Sequence, residues 1–249
     1  MLSLKNKRII NNDFLCIKSE ICGLASVYSK QEKSELNEFV KNLIYSYFNN
    51  YKQALFAYEI IYELVDRIKL FESTDLENLK LLFKDVDNAI IITDYTHLFI
   101  LKMKSSLDLL ACLIEYLLKR SDFEINEYSL TDIGKLKTND DNITRIICDF
   151  KKNETIKELI ENRNRLSHRG YLIQSTINNT STIELSQKIE HGINISSRYD
   201  FNISIFLTDY IDLLSNFEKN ITKNINTNDG IVPIANGYFN DYVNKYELP

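Results

Sequence analysis

Apolar residues recur at helical spacing over most of this chain. Leu36, Phe39, Val40, Leu43, Ile44 and Tyr47 mark the face of one helix, preceded by "SKQE" (Ser29 to Glu32), which has the spacing of a capping box. The helix continues through "ALFAYEIIYELVDRIKLF", with the pair Asn49–Asn50 as the place where it would break. "TDLE" (Thr74 to Glu77) opens a short helix reaching Asp87, and residues 88 to 120 read as one long helix. A polar loop at 121–142 follows, then helical "ITRIICDFKK" and a helix opened by "TIKE" (Thr155 to Glu158), which Gly170 suits as C-terminal cap. Period-two "YLIQSTI" and "TIELSQKI" flank the turn "NNTS" and predict a β-hairpin. "FNISIFLTDYIDLLSNFEKNI" predicts a last helix despite its β-branched residues.

Glycine and proline are nearly absent, 6 and 2 residues, and neither occurs between Leu24 and Ile133. So long a stretch without breakers favours helices over turns. The expected fold class is all-α or mainly α, a helical bundle of long helices with a small β-hairpin. The expected organisation is a single domain over 1–249: an arm at 1–28, a helical body at 29–225 and a tail at 226–249.

Composition adds little to this picture. With 44% hydrophobic and 26% charged residues, the 249-residue chain suits a folded protein with a sizeable core. A net charge of −5 argues against a broad basic surface that coats nucleic acid, while permitting a local basic pocket. Cys16, Cys22, Cys112 and Cys148 lack metal-ligand spacing and read as free thiols in a reducing compartment. The N-terminal stretch lacks the apolar run of a signal peptide, and no segment reaches membrane-spanning length. The expected location is cytoplasmic, without membrane contact.

One corner departs from an ordinary helical domain. It is "IENRNRLSHRGYL", residues 160 to 172: on the helix from Ile156 to Arg169, Ile156, Leu159, Ile160 and Leu166 form an apolar stripe at about 100° per residue, and Arg163 falls near its centre. A buried guanidinium without a partner would cost several kcal/mol. Either a carboxylate meets Arg163 or the stripe faces a cleft; alternatively the side chain snorkels and His168 merely caps. Asn164 and His168, spaced i and i+4, share one flank, within reach of Arg163. His168 lies in the last turn, where the helix dipole favours imidazolium, and Arg165 and Arg169 add positive charge. On the long helix, Lys104, Asp108 and Glu115 line up within about 40°. Their stripe is either the solvent edge or one wall of a polar site, with Asp108 as a candidate partner for Arg163.

"RNRLSH", Arg163 to His168, resembles the signature of the HEPN superfamily: an arginine, a polar residue, three further residues and a histidine. "KMKSSLDLLACLI", Lys102 to Ile114, resembles the helix that faces this motif in bacterial HEPN proteins. The likeness covers about residues 35 to 220 and is specific over the motif and that second helix. It implies a bundle of four to five helices and metal-independent RNA cleavage, a hydrolase activity at a cleft shared by two protomers. Carried over residue by residue, His168 would assist proton transfer and Arg163 would stabilise the phosphate. Asn164 would orient the ring or a phosphate oxygen. No cofactor and no metal are implied. RNA is the implied substrate, a homodimer the implied assembly, and an antitoxin or regulatory protein a candidate partner, in a toxin or phage-defence role.

One departure stands out. HEPN toxins paired with a nucleotidyltransferase carry a modified tyrosine two residues after the histidine. Here Tyr171 is three residues after His168 and beyond Gly170, so that role is not carried over. The other readings are a non-catalytic HEPN module, dimeric and binding a partner or phosphate ligand, and an interaction scaffold outside the family. His97 and His191 lack companions at metal-ligand spacing, and phosphate-cradling glycine patterns are absent. Tyr and Phe residues at helical spacing read as core.

Overall fold

The computed structural model describes residues 18–71, 88–125, 136, 138–168, 172–177, 183–188, 198–201, 203–225 and 235–236. These residues are mainly helical. Strand β1 (Lys18–Ser19) leads into α1 (Glu20–Ser29), followed by α2 (Ser34–Phe71), α3 (Asn88–Lys119) and a 3₁₀ turn (Arg120–Asp122). Then come α4 (Asp141–Lys152), α5 (Glu154–His168), β2 (Leu172–Ile177), β3 (Ile183–Lys188), β4 (Arg198–Phe201), α6 (Ile203–Ile225) and β5 (Ala235–Asn236). The short helix expected at 74–87 lies outside the described residues, as do Gly170 and most of the tail.

The chain divides into two compact units. The first comprises Met1–Asn49, Ser106–Lys151 and Leu213–Pro249; the second comprises Asn50–Ser105 and Lys152–Asp212.

In the first unit the core joins α1, the start of α2, the end of α3, α4 and the end of α6. Ile21, Val40, Leu110, Ile147, Phe150 and Phe217 are all buried there. Phe150 stacks on Phe217 with ring centroids 3.9 Å apart, which ties α4 to α6. Asp140 caps α4, its Oδ1 accepting from the backbone N–H groups of Asn142 at 2.8 Å and Ile143 at 3.0 Å. No glycine is available to end α3, and Arg120 takes the left-handed conformation instead, with φ 49°. That backbone costs a non-glycine residue roughly 1–2 kcal/mol. The Arg120 guanidinium lies 3.5 Å from the centroid of the Tyr28 ring, a cation–π contact that offsets part of this cost.

In the second unit Tyr51, Tyr58, Phe99, Phe206 and Tyr210 are buried, as expected of aromatic residues at helical spacing, whereas Phe56 in this unit and Tyr45 in the first are exposed. Phe99 meets Phe206 edge to face at 5.9 Å, and Phe206 stacks on Tyr210 at 6.1 Å. β2 and β3 pair antiparallel in the register Leu172↔Lys188 to Ile177↔Ile183, forming the expected hairpin. β4 adds to β3 as a third strand that the sequence pattern did not announce.

Three local expectations need correction. α2 is unbroken at Asn49–Asn50, because Tyr47, Phe48, Tyr51 and Ala54 bury the turns on either side and outweigh the weak helix preference of asparagine. "SKQE" is not a capping box: Ser29 ends α1, its hydroxyl donating to the Ser26 carbonyl at 3.2 Å, and α2 starts at Ser34. Part of the expected arm is a helix, α1. Five consecutive buried residues from Ile21 to Ala25 erase the periodicity by which it could be read.

Removing either anchor of α4 separates packing from capping. Phe150→Ala is expected to lower unfolding free energy by about 3–5 kcal/mol, and Asp140→Ala by about 1 kcal/mol. Denaturant unfolding checks both. A Phe150→Ala loss below that of Asp140→Ala would show that the stacked pair is not central to the core.

Candidate functional site

The motif residues sit on α5. Its start differs in detail from the expected "TIKE" box: Asn153 is the cap, its Oδ1 accepting from the Thr155 N–H at 2.9 Å, and the helix opens at Glu154. Ile156 and Leu159 are buried, which fixes the inward face of α5. Glu154 opens the helix at the positive end of its dipole, and Arg163 and Arg165 lie towards the other end, although Lys157 also falls in the first turn. Burial, reinforced by the neighbouring Glu161, pushes the Glu158 carboxyl above the usual carboxylate range. The Lys157–Glu154 pair at 2.8 Å is largely exposed and adds little stability.

Arg163 is half-buried rather than enclosed. Its Nη1 donates to Oδ1 of the exposed Asn164 at 3.2 Å, so two motif side chains are held together near solvent. The buried arc of α5 runs from Ile156 and Leu159 to Asn162, which is 2% exposed. The wheel drawn from apolar residues alone placed the stripe's centre nearer Arg163, because it counted Asn162 as a surface residue. The chain thus contains a buried amide beside the motif that sequence reasoning missed, and residue type gave no signal for it.

His168 is the last residue of α5. The side chains of Arg165 and His168, and the whole of Arg169, Gly170 and Tyr171, lie outside the described residues, as does His191. His97 is half-buried in α3.

The polar stripe of α3 resolves into three environments. Lys104 is 2% exposed, so it is no solvent edge. Asp108 is half-buried and belongs to the first unit, whereas Lys104 and Arg163 belong to the second. Glu115 pairs with Lys119 at 2.6 Å, and their side chains are 22% and 52% exposed. One helix direction is therefore buried at Lys104 and partly exposed at Asp108 and Glu115, a change along the axis that a wheel projection cannot represent.

Among the described residues no group of three or more His, Cys, Asp or Glu side chains is placed to hold a metal ion. Cys22, Cys112 and Cys148 are free thiols. No helix among the described residues is long and apolar enough to cross a membrane.

Burial ranks the two polar residues at the motif's start. Asn162→Ala removes a buried amide together with its polar contacts and is expected to lower stability by about 1–3 kcal/mol. Arg163→Ala, at a half-buried position, is expected to lower it by less. Thermal melts of the two variants check the order, and the reverse order would place Arg163, not Asn162, in the structural role.

The chain matches no family model, and no curated protein or solved structure is significantly similar to it.

Proposed function

We propose that this protein is a metal-independent endoribonuclease of the HEPN type, acting through Arg163, Asn164 and His168 at a cleft shared by two copies. The observation that supports the reading most is the Arg163–Asn164 pair, half-exposed on the last turns of a helix that ends at His168. With Asn164 Oδ1 engaged by Arg163, the Asn164 amide nitrogen is the group that donates to a phosphate oxygen. Arg163 stabilises the charge that develops on the phosphate, and Arg165 and Arg169 raise the local positive potential. His168 moves the proton of the 2′-hydroxyl or of the leaving oxygen. The 2′-oxygen attacks the adjacent phosphorus and the 5′-oxygen departs with a proton. The products are a 2′,3′-cyclic phosphate and a 5′-hydroxyl. Lys104 is too buried to touch RNA and has no direct part in this reading.

Purified protein is expected to cleave single-stranded RNA in the presence of EDTA and to spare DNA of the same sequence, because the nucleophile is the hydroxyl that DNA lacks. His168→Ala is expected to abolish cleavage with the fold retained, which also guards against a contaminating nuclease. RNAs that stay whole at high enzyme concentration would replace this reading with the non-catalytic module, which binds a partner or phosphate ligand through the same residues.

The shared cleft requires two chains. Light scattering at micromolar concentration is expected to give twice the 29.2 kDa of one chain. A monomer there would count against the catalytic reading and leave the mainly helical fold untouched.

A further inference from the structure

The three-stranded sheet that follows the motif helix has two edges, and they differ in kind. In the order β2–β3–β4, β3 is bonded on both sides, while β2 and β4 form the edges. An edge strand offers a row of N–H and C=O groups to any chain that pairs with it, and charged residues or proline normally discourage this. β4, "RYDF", carries Arg198 and Asp200. β2, "LIQSTI", carries no charge and no proline. Among the described residues β2 pairs with β3 alone.

Register sorts the sheet into two faces. Ile177, Ile183 and Phe201 lie in line, as do Ser175, Leu185 and Tyr199. Successive residues alternate between faces, so Thr176, Glu184 and Asp200 share the other one. One face is apolar by residue type and the other is polar.

We propose that β2 is the docking edge for a second copy of this chain, the two strands pairing antiparallel about Ser175 into one continuous sheet. In a two-fold contact the same patch serves on both sides. A charge near the middle of such a strand would face its own copy, and β2 has none. The two-fold axis runs perpendicular to the sheet and keeps each face on its own side. Residues standing opposite one another must therefore belong to the same face, which restricts pairing to registers centred on a residue.

Centred on Ser175, Ile173 stands opposite the partner's Ile177, Gln174 opposite the partner's Thr176, and Ser175 opposite the partner's Ser175. Centred on Gln174, Leu172 would stand opposite the partner's Thr176 and Ile173 opposite the partner's Ser175, apolar against polar. Only the first register sets like against like, and it carries the apolar face across both copies. A strand that receives a foreign peptide has no need of symmetry about its own centre; "IQSTI" has that symmetry. The contact bears on the ribonuclease reading without resting on it. His168 precedes Leu172 by four residues, so the end of α5 lies within about 15 Å of the start of β2.

Cysteine cross-linking of the full chain tests both the edge and the register. Residues directly opposite in an antiparallel pair have Cα atoms about 4.5–5.5 Å apart, within disulfide reach. Offset by two residues they are about 8 Å apart, beyond it. Under mild oxidation Ser175→Cys is expected to link two chains, moving the band on a non-reducing gel from 29.2 kDa to twice that mass. Gln174→Cys or Thr176→Cys alone is expected to stay at the background of the unsubstituted protein with its 4 cysteines. The two mixed and left to exchange partners are expected to link again. Ser175→Cys at background, or equal linking by all three variants, overturns the pairing.

Hydrogen exchange on the unsubstituted protein gives a second reading that no variant confounds. Protection over 172–177 is expected to rise from dilute monomer to concentrated dimer, while protection over 183–188, already bonded on both sides, stays level. A dimer without that rise, or a chain monomeric at every concentration, also overturns the proposal. Cleavage of RNA in EDTA reads the chemistry separately. A dimer that cleaves RNA but lacks the Ser175 link keeps the ribonuclease and loses this interface.

Discussion

Apolar burial along the two longest helices is the constraint on which the rest of this structure depends. α2 has 38 residues and α3 has 32, and each contributes to both compact units. Helices of that length owe most of their stability to buried faces rather than to intrinsic preference. Val40, Ile44, Tyr47, Tyr51, Ala54, Tyr58 and Ile61 keep α2 apolar on one side over many turns, and Phe99 to Leu117 does the same for α3. In the second unit the start of α6 meets both faces, Tyr210 against Tyr51 and Phe206 against Phe99, and in the first α4 stacks on the end of α6. Aromatic rings carry much of the contact, and no tryptophan is present to do so.

Legibility in the sequence followed the strength of periodicity. α3, α4, the hairpin and α6 combine strong period with clear punctuation, and each was readable to within a few residues. α1 was unreadable because it is enclosed on most sides, so its residues alternate with nothing. The Asn49–Asn50 pair looked like a break because propensity is local, whereas the buried residues around it act through contacts distant in sequence. β4 is four residues long and acquires its identity only from pairing with β3. Caps were misplaced by small amounts: Thr155 carries a capping side chain, but Asn153 meets its N–H instead, and the Ser29 hydroxyl turns back to the Ser26 carbonyl of α1.

The candidate site was legible as a motif and only partly as a geometry. A wheel treats every polar residue as surface, so it shifted the buried arc of α5 towards Arg163 and overlooked Asn162. It also merged Lys104, Asp108 and Glu115 into one stripe, although burial along α3 separates them. Both errors arise from projecting a three-dimensional contact pattern onto one angle. What survives is the chemistry of the residue types. Arg163 and Asn164 are joined near solvent on a helix ending in His168, and none of that depends on the wheel.

Charge bears on how an acidic chain could handle RNA. The whole protein carries −5, so long-range attraction to a polyanion is not available from its net charge. α5 partly escapes this: Lys157 pairs with Glu154 in the first turn, and Arg163 and Arg165 follow the last carboxylate, Glu161, towards the end that bears the histidine. That arrangement stabilises the helix through its dipole and concentrates positive potential where a phosphate would be bound. An acidic background and a basic helix end are therefore compatible. An acidic net charge disfavours indiscriminate binding of nucleic acid, and under the proposed reading recognition would be left to the few residues at the end of α5.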